Sequence, residues 1–291
     1  MKPSSFQYHD PQDLDEACGL LASLENVKVL AGGQSLMPML NMRLELPDHI
    51  IDLNSTAELS YIRDTGKRTE IGAMARQREL ELSHVIRKRC PLMVEALRHV
   101  GHRQTRNRGT IGGSLSYLHP AAELPVVAAT SDATLRVHSV RGPRTLTMDE
   151  LLLGDKRPAI AEDEIITALE FEPWLPGHGY AFVEYARRHG DFALASAAVM
   201  LELGGDGRIT RSAITLGGVN AKPRRMTAAE AVVTGNRGDT QTYQRAAEVC
   251  REIDAMEDVH ASPAYRRHLA AVLCHRALDL AFTRTSSSAV G

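Results

Sequence analysis

Ala31-Gly32-Gly33-Gln34-Ser35 ends an apolar run, Val27 to Ala31, with two glycines and a hydroxyl residue. Further on, Thr110-Ile111-Gly112-Gly113-Ser114 repeats the theme. Glycine has no Cβ, so the chain turns sharply there and another group can come close. Successive backbone N–H groups in such a turn form a concavity that binds anions. Each pair alone reads more readily as a plain tight turn than as a ligand cradle. Two together, with Ser35, Ser114 and Thr110 as hydroxyl donors, can grip one diphosphate from two sides. The residues by themselves leave both readings open.

Around the first pair the pattern is that of a small α+β unit. Phe6 and Tyr8 alternate with polar neighbours, and Leu14, Ala17, Leu20, Leu21 and Leu24 recur at helical spacing. Val27 to Ala31 and His49 to Leu53 read as strands, and Pro38 to Leu46 as a short buried helix or an irregular segment. A second unit follows, with a strand end at Glu70 to Ala73 and helices over Leu80 to Ile86 and Leu92 to Val100. Pro91 opens the latter helix. After the polar stretch Gly101 to Gly109 and the second glycine pair come a helix over Ala121 to Ala129 and strands over Thr134 to Val140 and Glu164 to Phe171.

Pro173-Trp174-Leu175-Pro176-Gly177-His178-Gly179 has linker composition. Beyond it Tyr180 to Tyr185, Ala195 to Leu203 and Ile209 to Leu216 read as three strands, the last two joined by Gly204-Gly205-Asp206-Gly207 as a hairpin. Helices take over from Thr227. Ser262 and Pro263 cap and open the last one, and the tail from Thr283 to Gly291 is expected to fray.

The 291 residues suffice for a substantial core and two domains. A net charge of -2 supplies no basic field, which argues against a nucleic-acid partner. No stretch reaches the length of a membrane span, and Met1-Lys2-Pro3-Ser4-Ser5-Phe6 lacks the apolar run of a signal peptide. The expectation is a cytoplasmic protein. Cys18, Cys90, Cys250 and Cys274 are scattered without metal or redox spacing, so no metal ligand is assigned and each is expected to pack as a small apolar residue.

Familiar nucleotide and catalytic patterns are missing. There is no Gly-x-Gly-x-x-Gly, no phosphate loop ending in Gly-Lys-Ser/Thr, no His-Glu-x-x-His and no Gly-x-Ser-x-Gly. His99 and His102 lie beside Arg98 and Arg103, which opposes a metal and favours a solvated loop. A third stretch, Tyr185-Ala186-Arg187-Arg188-His189-Gly190-Asp191-Phe192-Ala193, reads as a charged turn with Phe192 in the core, or as a loop lying over a planar cofactor.

These three stretches, in this order and spacing, resemble the flavin-binding segments of one family. Ala31 to Pro38 is similar to its first, Thr110 to Ser114 continued by Pro120-Ala121-Ala122-Glu123-Leu124-Pro125 to its second, and Arg187 to Ala193 to its third. The family is that of the FAD (medium) subunits of the molybdenum hydroxylases, of the carbon monoxide dehydrogenase and xanthine dehydrogenase type. The resemblance covers essentially the whole chain. It implies an α+β protein with a PCMH-type, vanillyl-alcohol-oxidase-like FAD-binding domain of two α+β subdomains over residues 1–176. A C-terminal domain of a three-stranded antiparallel sheet with helices would follow over 177–291.

The resemblance also implies a role. FAD in this chain would take electrons from two [2Fe-2S] clusters of a small subunit and pass them to an external acceptor. A large subunit with the molybdenum cofactor would hydroxylate substrate, the whole assembling as a dimer of heterotrimers, and no catalytic residue would lie in this chain. The absence of a cysteine-rich insertion argues against the benzoyl-CoA reductase branch. Cofactor contacts would come from Ala31, Gly32, Gly33, Gln34, Ser35 and Leu36, from Thr110, Ile111, Gly112, Gly113 and Ser114, and from Glu123, Leu169, Tyr185 and Arg187.

Three positions depart from the family pattern. Ser114 stands where asparagine is usual, His119 where aspartate is usual, and Glu184 near a position that often carries lysine facing the flavin. Two competing classes remain at the level of sequence: a self-contained flavoprotein oxidase or reductase, and a scaffold that has lost its cofactor. Intact glycine pairs argue against the scaffold.

Overall fold

Val27–Leu30 forms a strand that pairs in parallel with His49–Asp52, which in turn pairs in parallel with Gln7–His9. The helix Leu14–Ser23 connects the outer strands. Asp13 caps it by accepting from the Glu16 amide at 2.8 Å. Its buried face, Ala17, Cys18 and Leu21, packs with Ile51, Leu53, Leu59, Met74 and Ile165. The structure, a computed structural model, describes residues 1–152 and 159–288.

A five-stranded sheet follows in the order Ile62–Asp64, Thr69–Gly72, Ile165–Phe171, Thr134–Ser139, Gly142–Thr147, all pairs antiparallel. Gly142–Thr147 is a strand beyond the sequence reading, and its edge position tolerates Pro143. These two sheets belong to one compact unit made of residues 1–85, 103–117 and 133–171.

The second compact unit takes residues 86–102, 118–132 and 172–291. Its sheet joins Gly179–Tyr185, Ala195–Leu203 and Ile209–Gly217 as antiparallel neighbours, and the two residues Arg224–Arg225 add a short fourth strand. Gly207, at φ 76°, closes the expected hairpin. One face of the sheet packs on the helices Thr227–Val233, Thr240–Arg251 and Pro263–Ser288. Pro91–Leu97 and Glu123–Thr130 also contact this sheet.

Several elements differ from expectation. Leu36–Asn41 is helical, but Met42, Leu44 and Leu46 beyond it are exposed rather than buried. The stretch over Leu80 to Ile86 is two helices, Gln77–Leu82 and His84–Arg89, broken at Ser83. The polar stretch before the second glycine pair holds a helix, Arg103–Arg108, anchored by Arg106, whose Nε donates to Glu81 at 2.9 Å. The last helix runs to Ser288 instead of fraying at Thr283. Arg284 donates to Glu95 and to the Tyr180 carbonyl, both at 2.6 Å, and stacks on the Tyr180 ring. The expected frayed positions 289–291 lie outside the described residues.

All four cysteines are buried, as small apolar residues would be. Cys250 and Cys274, distant in sequence, meet in the second unit's core, and a hydrogen bond and burial raise the Cys274 thiol.

Candidate functional site

The strand Val27–Leu30 delivers the first glycine pair to the end of the parallel sheet. Gly33 turns the chain at φ 73°, a conformation that strains any residue with a Cβ. Its bare Cα also makes room: a Cβ there would stand 3.1 Å from Met37 and 3.3 Å from Leu30. Among the described residues, no protein acceptor meets the backbone amides of Gly32, Gly33, Gln34 or Ser35. The Ser35 hydroxyl is not spent on capping the helix Leu36–Asn41 that follows. Four consecutive free amides and a free hydroxyl make a nest for an anion.

The second glycine pair is not a turn. Gly112 and Gly113 lie in the first turn of the helix Ile111–Tyr117. Their amides are already used: Gly112 donates to the Ala73 carbonyl at 2.9 Å and Gly113 to Thr110 Oγ1 at 3.1 Å. Ile111 and Ser114 donate to Ala75 and Thr110. This helix therefore contributes hydroxyls and close packing rather than a second nest. A Cβ on Gly112 would press on Ala73, 2.7 Å away.

The fold brings the two glycine segments together. A Cβ on Gly32 would fall 2.3 Å from the Arg108 carbonyl oxygen and 2.8 Å from Gly109 Cα, and one on Gly113 would sit 3.7 Å from the Ala31 methyl. A groove of about 450 Å³ opens here, lined by Leu30, Ala31, Gly32, Gly33, Gln34, Met37, Pro38, Asn41 and Arg108. Its walls are part apolar, and the exposed Arg108 supplies positive charge beside the free amides.

Three residues that sequence reading passed over build this corner. Asn54 Nδ2 donates to the Ala31 carbonyl at 3.1 Å, Arg76 Nη1 donates to the Arg108 carbonyl at 2.6 Å, and Arg76 Nη2 donates to Asn54 Oδ1. Gln77 Nε2 donates to Ser114 Oγ at 3.0 Å. No local signal marks them, because their partners are far away in sequence. Arg108, two residues before Thr110, could have been found by its place next to the second pair.

The remaining expected residues fall elsewhere. Leu169 is 1% exposed inside the five-stranded sheet, paired with Ile71 and Leu135. Glu123, Tyr185 and Arg187 belong to the second unit. Glu123 opens the helix Glu123–Thr130, and burial pushes its carboxyl up to about 7. Tyr185 is exposed at its strand end against Tyr265, with ring centroids 6.4 Å apart. Arg187 is exposed.

The third stretch is a surface loop. Phe192 is not in the core: it is 62% exposed and stacks on His119, centroids 3.9 Å apart. Gly190, at φ 85°, lies against the His102 ring, where a Cβ would be 2.7 Å from Cε1. The Glu184 side chain, by contrast, is buried. Its Oε1 is 3.9 Å from His99 Nδ1, and its Oε2 has no hydrogen-bond partner. Burial first, and the neighbouring Glu123 second, push its carboxyl up to about 8, so at neutral pH it is mostly uncharged. Burial also holds His99 below its ordinary value.

Comparison with known proteins places this geometry. Residues 4–174 match the FAD binding domain in molybdopterin dehydrogenase, and residues 180–281 match the CO dehydrogenase flavoprotein C-terminal domain. The chain is 36% identical to the nicotine 6-hydroxylase medium subunit of Paenarthrobacter nicotinovorans, over 98% of this chain and 100% of that one. It is 32% identical to the carbon monoxide dehydrogenase medium chain of Hydrogenophaga pseudoflava, over 98% and 99%. A solved structure of carbon monoxide dehydrogenase from H. pseudoflava superposes with a TM-score of 0.95 at 34% identity, covering 98% of this chain and 99% of that chain. With its glycine-lined groove and both domains matched along nearly its full length, the chain belongs to the FAD-binding medium-subunit family of the molybdenum hydroxylases.

Proposed function

We propose that this chain is the electron-relay subunit of a heterotrimeric molybdenum hydroxylase. The observation that carries the reading is the nest at Gly32 to Ser35, four free amides facing a groove against the helix that begins at Ile111. A diphosphate needs donors, positive charge and close backbone approach, and the corner supplies all three. The residues present therefore fit FAD.

In this reading Gly32, Gly33, Gln34 and Ser35 donate to the diphosphate, with the hydroxyls of Thr110 and Ser114 offered from the other side. Ala31, Leu36, Ile111, Gly112 and Gly113 shape the cradle. We divide the chain at the linker, with cofactor binding over 1–176 and a C-terminal domain over 177–291. When bound, FAD links one-electron donors to a two-electron acceptor. The chain's own work is to hold it, orient it and set the charge near it. Glu184, protonated at neutral pH, adds no negative charge to its surroundings, which softens its departure from a lysine.

The partners would be a large subunit with the molybdenum cofactor and a small subunit with two [2Fe-2S] clusters, in a cytoplasmic dimer of heterotrimers. Support comes from the relatives' own names as medium subunits and medium chains. Among the described residues no helix is long and apolar enough to cross a membrane. The test is co-expression of the chain with the open reading frames beside its gene. The expected result is a complex in which adding the oxidisable substrate bleaches the flavin absorbance only when the iron–sulfur subunit is present. Bleaching by substrate of the chain alone would instead show a self-contained oxidase.

A further inference from the structure

We propose that Arg76 and Gln77 are positioning residues for the cofactor's diphosphate, a role that rests on the FAD reading above. Arg76 locks the two glycine segments together, and Gln77 aims the Ser114 hydroxyl outward.

Arg76 stands between the segments. One nitrogen donates to the Arg108 carbonyl at 2.6 Å, and the other reaches Asn54, which itself donates to the carbonyl of Ala31 at 3.1 Å. The Arg108 carbonyl lies against the bare Cα of Gly32, and Ala31 is the residue just before that glycine. The fork of a guanidinium can serve two acceptors at once, and an ammonium cannot hold the same geometry. One proton of each terminal nitrogen is committed to a protein oxygen, and that pair of bonds sets the spacing of the segments.

Gln77 works on the other side. Its backbone amide donates to the Gly109 carbonyl at 2.8 Å, and its side-chain amide donates to Ser114 Oγ at 3.0 Å. A hydroxyl that accepts one hydrogen bond still has its own proton to give. The bond from Gln77 thus leaves the Ser114 proton available to a phosphate oxygen. Gln77 is only 4% exposed, and its Oε1 has no hydrogen-bond partner. Gly109 admits it: a Cβ there would lie 2.4 Å from that Oε1. The chain places a buried amide beside a backbone with no side chain, and among the described residues that amide's nitrogen bonds to the hydroxyl alone.

The test is the dissociation constant of FAD from the full-length chain, read by quenching of flavin fluorescence, with apo-protein melting as the control for folding. Gln77→Leu and Ser114→Ala should each weaken FAD about tenfold. The double variant should be no weaker than Ser114→Ala alone, since Gln77 acts through that hydroxyl. Gln77→Glu should also lose about tenfold, because a carboxylate accepts from Ser114 and takes the proton back. Arg76→Lys and Asn54→Ala should each weaken FAD by a similar factor, without further loss when combined.

Additive losses for Gln77 and Ser114, or parent-like binding by Gln77→Glu, overturn the role of Gln77. Parent-like binding by Arg76→Lys shows that charge suffices and overturns the role of Arg76. Should Gln77→Leu fail to fold, Gln77→Glu decides the first point, and Asn54→Ala decides the second if Arg76→Lys fails. If Gly32→Ala and Ser114→Ala both bind FAD like the parent, the diphosphate reading itself falls; if they weaken and the braces do not matter, only this inference falls.

Discussion

The carbonyl oxygen of Arg108 lies 2.3 Å from the point a Cβ on Gly32 would occupy. Backbone meets backbone there, so nothing can swing aside. Gly32→Ala must push the two glycine segments apart, at a cost of about 1–3 kcal/mol for overpacking. Flavin content after purification should fall sharply and the melting temperature should drop. Gly113→Ala comes tight only against the Thr110 hydroxyl, at 3.0 Å, with the Ala31 methyl at ordinary contact distance, and should be milder in both measurements, whereas the larger Gly113→Val should strip the flavin. A Gly113→Ala chain more damaged than Gly32→Ala would show that the contact does not set the site.

Glu184 makes stability depend on pH. The folded chain keeps the carboxyl's proton up to about 8, while the unfolded chain releases it near the ordinary value of 4.5. Its contribution is therefore most favourable below that ordinary value and is lost progressively as pH rises toward 8. Glu184→Gln, permanently neutral, should remove this loss and gain on the order of 2–4 kcal/mol at pH 8, with little change at pH 4.5. Urea unfolding at the two pH values checks it. Equal effects at both would mean that Glu184 is already ionised in the fold.

Arg266 holds the second unit's sheet ends to its last helix. It is 1% exposed and donates to the carbonyls of Leu194 and Gly218 and to Asp258, each at 2.6 Å. Arg266→Ala strands two buried carbonyls and a carboxylate, and should cost about 3–5 kcal/mol. Arg266→Lys should recover only part, since one ammonium does not span all three acceptors. Equilibrium denaturation measures both, and a loss under about 1 kcal/mol for the alanine variant would mean that water or other donors replace the guanidinium.

Much of this was readable from residue pattern, and the failures have physical causes. The strands at Val27, His49, Thr134, Ile165 and Ala195 announce themselves by apolar runs or alternation, and the first glycine pair does turn the chain. The second pair misleads because glycine is a poor helix former. Here Thr110 caps the Gly113 amide, and Ala73 needs a surface without a Cβ, so tertiary contact overrides propensity. Arg103–Arg108 looked like loop because its one buried side chain, Arg106, is held by Glu81, an ion pair that no local window contains. Phe192 counted as core by residue type, yet it stacks on His119 at the surface. Asn54, Arg76 and Gln77 were silent for the same reason: each earns its place only through partners that folding brings near.

The central claim is that the nest at Gly32 to Ser35 holds FAD. It is tested most directly by the chromophore released from the purified full-length chain on mild denaturation, set beside the same preparation of Gly32→Ala. The account predicts FAD in stoichiometric amount from the parent and little or none from the variant. A colourless parent, or a Gly32→Ala chain that retains its full flavin, would contradict it.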